Sequence, residues 1–164
     1  MAKKVPRLGI LLALALILSY VESLIPFFLS VPGMKLGLVN IIIILILYID
    51  CWQDAILVSV MRVLLAGFMF GNVYSIAYSL SGAILSFIIM LIMKNIFQLH
   101  IVVVSMFGGV FHNIGQILIA TVVASNVYIM GYLPALYIAG MITGLLIGIL
   151  AYELYPRISK IRRI

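Results

Sequence analysis

Ile41-Ile42-Ile43-Ile44-Leu45-Ile46-Leu47 is apolar at every position, with no polar residue on any face of whatever element it forms. A strand of a membrane barrel places an apolar residue at every second position, so an unbroken apolar run points to a helix. Within lipid a helix is then the spanning element, because it satisfies every backbone N–H and C=O internally. Outward from this run the chain keeps the same character: 66% of its 164 residues are hydrophobic and 9% are charged. Soluble domains carry about a quarter charged residues, so a water-soluble reading is excluded.

At about 20 residues per span, this length holds about six transmembrane helices and no soluble domain. Reading apolar runs against their breaks predicts spans near 8–29, 36–50, 54–70, 73–93, 100–125 and 131–155. The breaks have physical causes. Val31-Pro32-Gly33-Met34-Lys35 is a turn, Asp50-Cys51-Trp52-Gln53-Asp54 is charged, and Gly71-Asn72, Lys94-Asn95 and Ser125-Asn126 end three further spans. The expected fold is therefore all-α: one polytopic transmembrane bundle covering residues 1–164. Its first apolar segment runs too long for a secretion signal and is expected to be retained.

An even number of spans puts both termini on one side. Lys3, Lys4, Arg7, Lys94, Arg157, Lys160, Arg162 and Arg163 share that side and Lys35 lies opposite, so the termini are expected to be cytoplasmic. The formal net charge of +6 comes from basic residues next to apolar spans, which suits anionic lipid headgroups and not nucleic acid. A single cysteine, Cys51, leaves no internal disulfide and no multi-cysteine metal site.

Ionisable and amide side chains inside lipid are costly and mark candidate sites. Arg62 is predicted about 12 Å into the third span and His112 about 18 Å into the fifth, counting the helical rise. Arg62 reads either as a fixed cation for a bound anion or as a structural partner of Glu22 or of a carbonyl. His112, Asn113 and Gln116 fall on neighbouring helix faces among Gly108, Gly109 and Gly115. They read either as a hydrogen-bonding pocket or as interhelical glue. Lys35 follows a stiff Pro-Gly turn and is either a lid residue or a snorkelling lysine, with Asn40 about 7.5 Å further along the helix. Gly140, Gly144 and Gly148 form a packing stripe on the last span, and Ala15, Ser19 and Ser23 a looser one on the first, suited to internal or subunit packing.

Some signatures are missing. No glycine-rich phosphate loop is present, so ATP hydrolysis is expected of partner chains only. Four acidic residues are too few and too scattered for a magnesium–diphosphate cluster. No catalytic residue, metal ligand or cofactor is expected in this chain.

Four ordered stretches carry a resemblance: Pro32-Gly33-Met34-Lys35-Leu36-Gly37-Leu38-Val39-Asn40; Arg62-Val63-Leu64-Leu65-Ala66-Gly67 with Gly71; Ser79-Leu80-Ser81-Gly82; and His112-Asn113-Ile114-Gly115-Gln116. Over nearly its whole length the chain resembles the bacterial Gx transporter family, also labelled heptaprenyl diphosphate synthase component I. In size, helix number and terminus placement that family is similar to the S components of energy-coupling factor (ECF) transporters. The resemblance implies a small-molecule-binding subunit whose first loop acts as a lid, working with a coupling transmembrane subunit and two ATPases. It would make Lys35 and Asn40 lid and rim, and would line the pocket with His112, Asn113 and Gln116; Arg62 and Ser81, from the other two stretches, complete the candidate set. One departure is visible: S components often carry an alanine-x-x-x-alanine docking stripe on the first helix, where this chain has Ala15-x-x-x-Ser19. The other label implies an accessory subunit making the menaquinone side chain, with greasy helices holding the growing chain and Arg62, Lys35 and His112 meeting its diphosphate. A purely structural membrane subunit is a third reading, and it predicts no ligand.

Overall fold

The computed structural model describes residues 4–24 and 37–162. Among them the secondary structure is wholly helical. Six α-helices run as α1 (Lys4–Leu24), α2 (Asn40–Ile49), α3 (Trp52–Phe70), α4 (Val73–Asn95), α5 (Ile101–Val123) and α6 (Leu133–Arg162), with a 3₁₀ helix at Val127–Tyr132 before the last. Five of the spans, beginning with α1, are long and apolar enough to cross a membrane.

Two of the breaks that separate the helices in sequence supply the residues that cap the next one. Asn72 accepts the N–H of Ser75 at 2.8 Å at the start of α4, and Asn126 accepts that of Tyr128 at 3.0 Å at the 3₁₀ helix. Each supplies an acceptor for an N–H that has no intrahelical partner. Gly37, at φ +71°, occupies the left-handed region as the chain turns into α2.

α2 differs from expectation. The apolar run predicted a span over 36–50, but the helix covers ten residues, about 15 Å, half the thickness of a hydrocarbon core. Ile42 through Leu47 are all buried, and α2 packs against α1, α3, α5 and α6. A helix that is apolar all round has protein on every side here, in place of lipid. α1 takes the opposite role: Ala15 is buried in the core shared with α2, while Ile10, Leu14 and Ile17 are exposed and present an apolar face for lipid.

α6 also departs from its predicted end near 155. It continues past Pro156 to Arg162, about 45 Å in all, so it carries Arg157 and Lys160 beyond the length a bilayer core needs. The α4–α5–α6 packing rests on glycine. A Cβ on Gly144 would lie 2.7 Å from Met106 Cα, and one on Gly148 2.8 Å from Val102 Cα. A Cβ on Gly82 would sit 2.7 Å from the carbonyl oxygen of His112. Close backbone approach of this kind increases dispersion contact where lipid offers no hydrophobic driving force between helices.

The bundle has two unlike ends. The terminal end carries the starts of α1, α3 and α5 and the ends of α2, α4 and α6. There Lys4 pairs with Asp54 at 2.8 Å and Arg7 with Asp50 at 2.6 Å, tying α1 to the α2–α3 turn. Lys94 donates to the carbonyl of Leu47 and lies over the Tyr48 ring at 5.0 Å, closing the end of α2.

Candidate solute-binding cleft

Arg62 lies midway along α3 and is 7% exposed. Its Nε is buried and has no hydrogen-bond partner among the described residues. A guanidinium has five N–H donors and no acceptor, so its donors are met only by oxygen brought to it. It faces a cleft of about 100 Å³ between α1, α3 and α4, at the end of the bundle away from the termini.

The cleft wall is built from small and hydroxyl-bearing residues. Ser19 and Ser23 come from α1, Ala66, Gly67 and Gly71 from α3 and its end, and Ser75 and Ser79 from α4. Two of these serines turn inward on their own helix: Ser19 donates to the carbonyl of Ala15 at 2.9 Å and Ser23 to that of Tyr20 at 2.6 Å. Glu22 lines the same cleft and acts electrostatically on Arg62. Its carboxylate accepts the backbone N–H of Gly37 at 2.5 Å, so it also anchors the entry to α2. The cleft thus presents one buried cation, one carboxylate and several hydroxyls, a set suited to a small solute with an anionic group.

Ser81, His112, Asn113 and Gln116 gather elsewhere, where α4 crosses α5. Ser81 Oγ lies within hydrogen-bond reach of the carbonyls of Tyr78 at 3.0 Å and Gly115 at 2.8 Å. Asn113 Nδ2 donates to the carbonyl of Leu136 on α6 at 2.8 Å, in buried surroundings. His112 is half-buried, with its backbone oxygen against Gly82. Gln116 lines a second cavity of about 220 Å³ with Tyr78, Tyr132 and Leu136. The three residues read as one patch therefore divide between the α4–α5 crossing, α6 and a cavity.

Asn40 starts α2 and is half-buried, with Gly37 beside it; Lys35 lies outside the described residues. Gly140, Gly144 and Gly148 all face α5, Gly140 against Gly109 and Val110. Ala15 is fully buried inside the bundle, whereas Ser19 opens to the cleft.

Sequence reasoning missed the pairing of Lys4 with Asp54 and of Arg7 with Asp50. The available signal was the charged break Asp50-Cys51-Trp52-Gln53-Asp54, with its two acids four apart. The pairs span 50 and 43 positions of sequence, so only the fold reveals which base meets which acid.

A polytopic, all-helical protein with apolar spans and buried polar groups in its interior is a multi-pass integral membrane protein. A family model described as heptaprenyl diphosphate synthase component I matches residues 11–154, and the chain belongs to that family. No curated protein and no solved structure matches the chain.

Proposed function

We propose that this chain is the solute-binding membrane subunit of an ATP-driven importer of the energy-coupling factor type. The buried, incompletely partnered Arg62 guanidinium at the wall of a polar cleft carries this reading. A charge at that depth is costly unless a partner or a solute meets it. With the lysine- and arginine-rich terminal end in the cytoplasm, the cleft opens in the outer half of the bundle, where a solute from outside arrives. The solute is a small micronutrient or an isoprenoid- or quinone-related molecule with an anionic group. A coupling transmembrane subunit and two ATPases supply the energy, and ATP is used by them and not by this chain.

The family description favours a second reading, in which the chain is the membrane accessory subunit of heptaprenyl diphosphate synthase in menaquinone side-chain biosynthesis. Arg62 then meets the diphosphate, as a guanidinium suits phosphate oxygens in pairs, and the metal-binding acids come from a partner. Purification of the tagged protein from its host in mild detergent, with co-purifying proteins identified by mass spectrometry, separates the two. ATPases with a coupling membrane subunit support the importer; a soluble prenyl synthase subunit in their place overturns it.

A further inference from the structure

The second cavity lies between α4, α5, the 3₁₀ helix and α6 and shares no lining residue with the Arg62 cleft. Its floor is made by Gln116, Ile117 and Leu136, which are buried, and its mouth by Ala124 and Tyr132, which are exposed. The lining is mostly apolar and holds no charged group. At about 220 Å³ it is roughly half as large again as an apolar cavity that admits benzene.

The Gln116 amide and the hydroxyls of Tyr78 and Tyr132 are the polar groups of this lining, and only Gln116 belongs to its buried floor. Gln116 is 6% exposed, and its side-chain amide finds no hydrogen-bond partner among the described residues. The residue is buried while its amide opens into the cavity, where a bound molecule can meet it. Its stem is held in place: a Cβ on Gly82 would lie 2.9 Å from Gln116 Cγ, so only glycine lets α4 approach here. The opposite wall is fixed too, because Asn113 holds the Leu136 carbonyl from α5. The amide is therefore a fixed donor and acceptor at the bottom of a shaped apolar cavity.

The geometry points to a binding site here for an uncharged aromatic ketone, with its rings among the apolar walls and its carbonyl oxygen accepting from the Gln116 amide. This site is separate from the anion cleft and stands whether or not Arg62 binds a solute.

Benzophenone, an uncharged aryl ketone that labels neighbouring C–H bonds on irradiation, is the probe, with diphenylmethane as a competitor of similar shape lacking the carbonyl. Labelled peptides of the purified protein are mapped by mass spectrometry. Adducts are expected to concentrate on cavity-lining residues, with the ketone bound about tenfold more tightly than the hydrocarbon, roughly the worth of one hydrogen bond. Gln116→Met removes that preference and keeps hydrocarbon binding. Ala120→Phe, which fills the cavity and leaves the amide untouched, abolishes labelling there and decides the matter if Gln116→Met does not fold. Arg62→Met leaves the labelling unchanged. Adducts spread over lipid-facing helices without enrichment at the cavity, or a ketone preference that survives Gln116→Met, overturn the site.

Discussion

Asn113 on α5 donates its side-chain N–H to the backbone carbonyl of Leu136 on α6 at 2.8 Å, and both residues are buried. An amide so engaged is an interhelical tie. Leu136 lies within α6 and its carbonyl keeps its intrahelical partner, so replacing Asn113 removes one buried hydrogen bond, at a cost of about 0.5–1.5 kcal/mol. Asn113→Ala is expected to lower the thermal midpoint in detergent while solute affinity per folded molecule stays the same. An unchanged midpoint with lost binding reverses that assignment.

Arg7 and Asp50 form the second tie. Asp50 is buried to 5% of its side-chain surface, whereas Arg7 remains 39% exposed. The half-open geometry argues for coupling well below that of a fully buried pair, which loses about 3–5 kcal/mol when broken. A double-mutant cycle of Arg7→Gln with Asp50→Asn is expected to return a coupling of about 0.5–2 kcal/mol. Additive effects of the two changes contradict the pair.

Gly144 meets backbone on α5: an added Cβ would lie 2.7 Å from both Met106 Cα and the carbonyl oxygen of Ser105. Backbone cannot rotate aside as a side chain does, so Gly144→Val should cost about 1–3 kcal/mol. Gly9 on α1 has nothing within 4 Å of such a Cβ, and Gly9→Ala should stay within about 0.5 kcal/mol of the parent. Equal melting of both variants would show that α5 and α6 do not pack this closely.

Much of this fold was legible in the sequence, because uninterrupted apolar runs in lipid leave helices as the spanning form and Asn72 and Asn126 mark real caps. The role of Ile41–Leu47 was not legible. Lipid tails and a protein interior are equally apolar, so a run that faces four helices looks the same as one that faces a bilayer. The polar residues followed the same pattern. Spacing placed His112, Asn113 and Gln116 on adjoining faces, but which neighbour each face meets depends on the order of helices around the bundle. Asn113 meets α6 and Gln116 meets a cavity beside α4. Arg62 was recognisable from its charge alone; the serines of its cleft carry no such signal, since two of them satisfy their own helix carbonyls.

The buried guanidinium of Arg62 as a solute anchor is tested most directly by native mass spectrometry of the protein released gently from its own membranes, parent beside Arg62→Met and Arg62→Lys. The parent is expected to retain a small acidic molecule, Arg62→Met to lose it at an unchanged helical content, and Arg62→Lys to retain a weakened fraction because charge persists without the guanidinium fork. Equal retention of the same molecule by parent and Arg62→Met, or a parent that carries no small molecule while its partner subunits remain attached, would contradict a solute-binding role for this cleft.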